Sequence, residues 1–369
     1  MKHRFAKLLL AAVLAATMTG CGDQRVLEKL GFTQTTSYDL ADKDQLEITV
    51  SIPKAEPRAK TQRELLSATA PSSKEARIKL ARQTNLLLVS GQLRNAIFSM
   101  AFARKGMEKH IDTLVRDPSI SPRLKISIVN GNAKVLLRKD YKEHPITGRY
   151  IDGILEKESI GRSIPVTTLY SFTRDLYDDG IDPVAPILKD AGDHINVDGI
   201  ALFRGDRYIT KIPAGEGLVF AFLRGSFKQG EISVNLPDDT SSGSSSIMLS
   251  SLLSRRTVTV RWDASGTPSV HFYIRMKGSV LEYTGSGSMA DDADRKKIEQ
   301  SVAKELTRRG QMLIDLMLKN RVDSLGMGIA VRNRMDYAAW KALNWLDNFP
   351  KVKATCSFDT LINNTGKVE

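Results

Sequence analysis

The spacing of apolar residues changes several times along this chain, and each change marks a new element. Across residues 39–52, Leu46, Ile48, Val50 and Ile52 alternate with Glu47, Thr49 and Ser51. A period of two with β-branched residues predicts a strand with one buried face, ended by Pro53 and Pro57. Ser72, with Glu75 three residues on, forms a capping box, so a helix is expected to carry Ala76, Leu80 and Ala81. Residues 86–89 are a continuous apolar run, read as a strand covered on both faces. Beyond a break at Gly91, Leu93, Ile97, Met100 and Phe102 form a helix-like stretch. A second helical stretch, 107–115, stops near Asp117 and Pro118, and 124–129 is strand-like again.

Residues 139–165 contain Pro145, Gly148, Gly153 and Gly161 and read as an irregular connection. A helix is expected over 167–177 and a turn cluster over 178–186. The apolar runs 197–203 and 208–212 flank Arg204-Gly205-Asp206 and predict a hairpin, with a domain boundary near residue 195. A short helix (216–223), a strand (231–236), a Ser/Gly loop (238–246) and two longer strands (257–262 and 270–283) follow. The clearest helix occupies about 291–320, where Ile298, Val302, Leu306, Leu313, Leu316 and Met317 recur at helical spacing. Its acidic start and basic end suit the helix dipole. A terminal strand, 352–362, contains Cys356. The expected class is α+β: several small domains, each a mixed or antiparallel sheet flanked by helices, divided as 21–195 and 196–369, the latter with room for two subdomains.

Of the 369 residues, 41% are hydrophobic and 26% charged, a balance that folds. Two cysteines cannot build a disulfide framework or a four-ligand zinc site, and the five histidines include no HExxH spacing, so no metal or cofactor is expected. The net charge of +12 attracts anions, but Lys and Arg are scattered rather than gathered in an aromatic-interleaved stripe, which argues against nucleic acid. An anionic membrane is the more economical partner.

Residues 1–20 explain why. Lys2, Arg4 and Lys7 precede an apolar run of about eleven residues, too short to span a bilayer, and Met18-Thr19-Gly20 lead into Cys21. This layout is that of a secretory signal, and its end resembles the lipobox of bacterial lipoproteins. Cleavage is then expected before Cys21, whose thiol takes the lipid and ties an extracytoplasmic domain to the membrane.

A search for chemistry finds no GxSxG elbow, P-loop or GxGxxG after a strand. The adjacent carboxylates Asp178-Asp179, Asp238-Asp239 and Asp291-Asp292 read as solvated turns or a helix start. His110, His144, His194 and His271 stand alone, and Cys356 reads as a small buried hydrophobe. No catalytic residue is expected.

Several segments in order nevertheless form a pattern. Cys21, Asp23 and Arg25 precede the strand ending at Pro53; Leu86-Leu-Leu-Val-Ser-Gly-Gln-Leu-Arg94, Lys105-Gly106, Leu114-Val-Arg-Asp-Pro118 and Asn130-Gly131 follow. Further on come Val197-Asp-Gly-Ile-Ala-Leu-Phe203 with Gly205-Asp206, then Asp323-Ser-Leu-Gly-Met-Gly328 and Trp340. In this order the chain resembles the C-subunit lipoproteins of bacterial spore nutrient-germinant receptors, the Ger(x)C family. The resemblance implies a non-enzymatic lipoprotein, lipidated on Cys21, working beside two polytopic membrane subunits in the spore inner membrane. The alternative is a substrate-binding lipoprotein of a transporter; a peptidoglycan hydrolase would need converging catalytic groups that the sequence lacks.

Overall fold

The structure is a computed structural model and describes, with Arg4, residues 26–54, 62–236, 245–285 and 288–364. Apart from Arg4, the expected signal segment 1–20 lies outside the described residues, as do Cys21 and the Ser/Gly loop up to residue 244, with Asp238 and Asp239 in it. Among those described, no helix is long and apolar enough to cross a membrane.

The first half runs through β1 (Leu30–Phe32), β2 (Thr35–Leu40), β3 (Leu46–Pro53), β4 (Arg63–Ala70), α1 (Ser73–Ala81), β5 (Leu87–Val89), β6 (Asn95–Ser99), α2 (Met100–Lys105) and α3 (Glu108–Val115). It continues with β7 (Lys125–Val129), α4 (Ala133–Arg138), α5 (Thr147–Ile160), α6 (Leu169–Tyr177), β8 (Val184–Asp190), β9 (Ile195–Arg204) and β10 (Arg207–Pro213). Eight of these strands form one sheet in the order β10-β9-β8-β7-β6-β2-β3-β4, parallel from β8 to β2 and antiparallel at both wings. Helices cover both faces. Phe98, Ile128 and Ile187 pack toward Phe102, Ile111 and Phe172, while their neighbours Ile97, Val129 and Leu188 pack toward Leu136, Ile151 and Leu155.

Several expectations are corrected here. The helix-like stretch 93–102 is β6 up to Ser99, and the helix begins only at Met100, capped by the Ser99 hydroxyl accepting from the Phe102 N–H. The apolar centre of β6, Ala96-Ile97-Phe98, is buried on both faces, and so short an apolar run cannot be told from a buried helix by its periodicity. The run 86–89, expected to be covered twice, contains β5; among the described residues it pairs with β1 alone, and Leu87 is 54% exposed. The irregular connection contains the 14-residue α5, and the turn cluster ends early because Val184 opens β8, with Pro186 inside it. The expected hairpin is present as β9 and β10, the last two strands of this sheet.

The second half comprises α7 (Gly217–Arg224), β11 (Phe227–Lys228), β12 (Ile232–Leu236), β13 (Ser245–Trp262), β14 (Pro268–Tyr283), α8 (Asp292–Asn320), α9 (Met327–Arg332), α10 (Tyr337–Leu343), α11 (Trp345–Asn348) and β15 (Lys353–Asn364). Its sheet order is β11-β13-β14-β15, with β12 also on β13. The helical stripe read in the sequence is α8, started by Asp291, whose Oδ1 accepts from the Ala293 and Asp294 N–H groups. Val302, Leu306 and Met317 pack it onto one face, with Phe272, Ile274 and Met276 in the same core. The approach is close: at Gly310 a Cβ would lie 2.8 Å from Cys356 Sγ on β15.

Candidate functional site at the joint between the sheets

Three of the buried acidic residues, Asp175, Asp182 and Asp323, gather where the two halves meet, while the fourth, Asp39, caps α4 in the first half. The turn after α6 carries Asp178, Asp179, Gly180 and Asp182; the segment from the end of α8 to α11 carries Asp323, Gly328, Arg332, Trp340, Lys341 and Trp345. Asp182, 8% exposed, accepts from the Gly205 N–H at 2.8 Å and from the Asp323 N–H at 2.7 Å, and its own N–H donates to the Asp323 carbonyl at 2.9 Å. Asp323, 3% exposed, accepts from the N–H groups of Met327 (2.8 Å) and Gly328 (2.7 Å) and from Trp345 Nε1 (3.1 Å). Asp323 thus folds the loop into α9 and anchors α11, while Asp182 ties that loop to the hairpin of the first half.

The electrostatics are uneven. Burial pushes the Asp323 carboxyl up to about 7, and the nearby Asp182 charge acts in the same direction against the three donors. Asp182 is raised too, by burial first. At the rim, burial also pushes Asp179 upward, but Trp340, Lys341 and Arg332 outweigh it and hold that carboxyl at about 2. Arg332 bridges Asp178 (2.9 Å) and Asp179 (2.6 Å), and Lys341 reaches Asp179 at 3.0 Å. The pair read as a solvated turn is therefore an ion-paired seam. A second tie joins α6 to α7: buried Asp175 takes Arg174 at 2.6 Å and Arg224 at 2.7 Å.

The backbones themselves touch here. A Cβ on Gly180 would lie 2.7 Å from the Ile329 nitrogen, and one on Gly328 would lie 2.7 Å from Gly180 Cα, so neither position has room for a side chain. Beside this contact is a cavity of about 560 Å³ walled by Leu176, Ile181, Trp345 and Phe349, with Arg204 and Arg321 at its rim.

The other residues singled out in the sequence lie apart from the joint. Cys356 is buried under α8, its thiol donating to the Thr307 carbonyl at 3.5 Å, and burial pushes it up to about 12. His110 packs edge-on against Phe102, His144 stacks on Tyr150, His194 contacts exposed Asp193, and His271 bridges the Thr355 and Ser357 hydroxyls. Asp291 and Asp292 serve the start of α8. Among the described residues no three His, Cys, Asp or Glu side chains converge as a metal site.

The geometry defines a scaffold of two large sheets, with the small β1–β5 pair beside the first, whose halves are fastened by a polar core. Comparison with known proteins gives that class its family. The model of the "Spore germination protein N-terminal domain" matches residues 23–190, and that of the "Spore germination B3/ GerAC like, C-terminal" domain matches residues 198–366. The chain therefore belongs to the GerAC-like family of spore germination proteins. It is 24% identical over 362 residues to the spore germination protein GerQC of Bacillus cereus, covering 98% of this chain and 99% of that one. It is 23% identical over 346 residues to the putative spore germination protein YfkR of Bacillus subtilis (strain 168), covering 88% and 87%. The crystal structure of the GerBC protein superposes with a TM-score of 0.56 at 14% identity, over 92% of this chain and all of that one. That likeness establishes the mixed sheet-and-helix fold.

Proposed function

We propose that the chain is the lipid-anchored subunit of a spore germinant receptor, needed for nutrient-triggered germination through contacts with two polytopic membrane subunits. The observation that carries this reading is the pair of family matches spanning nearly the whole mature chain, together with the lipobox-like approach to Cys21. The protein acts by contact and not by turnover: its buried carboxylates are consumed by N–H donors within the fold, and its buried thiol is held protonated. Anchoring on the extracytoplasmic face of the spore inner membrane raises the domain's effective concentration at its partners, so that a weak interface is occupied. A transporter's binding protein must open about a hinge; the bonds between Asp182 and Asp323 oppose that motion, which disfavours the alternative.

Deletion of the gene tests the reading. Spores should form normally, germinate when triggered independently of nutrients, and fail to answer one class of nutrient; an unchanged nutrient response with no second homologue present rejects it. For the anchor, Cys21→Ala should abolish fatty-acid labelling and leave uncleaved precursor, and label retained in that variant rejects Cys21 as the attachment point.

A further inference from the structure

Basic residues far apart in sequence come together on the outer face of the second sheet. On β14 Phe272, Ile274 and Met276 point into the core, so His271, Tyr273, Arg275 and Lys277 point the other way. Strand register places Lys228, Leu253, Lys277 and Leu361 in one row across four strands, and Arg255, Arg275 and Asp359 in the next. Lys228, Leu253, Arg255, Arg275 and Lys277 line a shallow cavity of about 430 Å³.

Asp359 is taken by Arg275 at 3.0 Å and by the Tyr273 hydroxyl at 2.9 Å. Among the described residues Lys228, Arg255 and Lys277 have no carboxylate partner. Arg255 directly faces Arg275, whose charge Asp359 already meets, so Arg255 is the cation of that row left without a carboxylate among the described residues. Leu253 and Leu361, 44% and 41% exposed, flank Lys277. Cations interleaved with exposed leucines on a broad sheet face match the interfacial layer of an anionic bilayer.

We propose that this face docks on anionic phospholipid headgroups, the cavity between Lys228, Arg255 and Lys277 receiving the headgroup phosphate. The inference deepens the proposed membrane location by giving the domain a side that faces the bilayer, and it is tested without the anchor. The chain from Gly22 onward lacks Cys21 yet keeps every helix and strand described above. In flotation at low salt it should rise with phosphatidylglycerol-containing vesicles and stay behind with pure phosphatidylcholine, and added salt should release it. The triple variant Lys228→Gln, Arg255→Gln, Lys277→Gln should weaken binding by about tenfold or more. A control triple with equal charge loss on exposed positions of α8, Lys296→Gln, Lys304→Gln, Lys319→Gln, should bind as the parent does. Equal losses in the two triples would overturn the assignment to this face. Absence of flotation in a chain with native circular dichroism would overturn the lipid partner and leave an acidic protein surface as the occupant. Neither result depends on fatty-acid labelling of Cys21, so failure here and failure of the anchor are separable.

Discussion

The two sheets solve the same problem at different widths of cover. In the first, β6 is buried at every residue and β7 and β8 nearly so, because helices lie on both faces. In the second, β14 alternates buried and accessible positions along most of its length. A doubly covered sheet spends all its side chains on its own core, whereas a singly covered one keeps every second residue for contacts outside. The difference teaches where to look for partners: on the second sheet and at the joint, and not on the central strands of the first.

The strongest way to break this arrangement is at the joint. Asp323→Ala strands three buried N–H donors, at a cost on the order of 3–5 kcal/mol. Because the core of the second half also takes in Val184, Ile200, Leu202 and Ile212 of the first sheet, the halves are coupled, and the variant should unfold in one urea transition with a clearly lower midpoint than the parent; an unshifted transition would refute the role given to Asp323. Substitution on the strands sharpens the contrast next. Ile128→Ala and Val129→Ala should each cost about 2–4 kcal/mol, as their side chains enter opposite cores, while Phe272→Ala should cost about 3–5 and its neighbour Tyr273→Ala less than about 1. Chemical denaturation of the four variants measures the pattern.

A pH experiment separates the halves' interface from their cores. Asp323 binds its proton more tightly folded than unfolded, so its contribution declines as pH rises from about 4, where the unfolded carboxyl ionises, to about 7, where the folded one does. Asp182 acts in the same sense. The melting temperature should fall through that window, and Asp323→Asn should flatten the decline even though it lowers stability overall. The smallest effect concerns α8 on β15. Gly310→Ala gains helix propensity of about 1 kcal/mol but drives a methyl against Cys356 Sγ, so it should destabilise slightly. Adding Cys356→Ala should turn the gain positive in a double-mutant cycle.

How much of this was legible beforehand depends on the distance between partners. The stripe of α8 and its Asp291 cap were plain because all the signals are local. The hairpin of β9 and β10 was plain for the same reason. Helix α5 was hidden, since Gly148 and Gly153 read as breakers and only Ile151 and Leu155 among its apolar residues are fully packed. At the joint, Asp182 and Asp323 are 141 residues apart, and nothing near Asp178 and Asp179 announces that Arg332 and Lys341 await them. The row of cations on the outer sheet face was invisible for a related reason: only strand register brings Lys228, Arg255 and Lys277 together.

The meeting of Gly180 with Gly328 bears on how such proteins diversify. Two main chains in direct contact leave no side chain to absorb a change on either side, so the turn of one half and the loop of the other must be inherited together. Exchanging whole halves between paralogues should yield misfolded hybrids unless residues 178–182 and 323–332 come from the same parent, whereas exchanges confined to the outer face of the second sheet should be tolerated. New specificities in this lineage are thus free to arise on that face while the seam between the halves travels as one heritable unit.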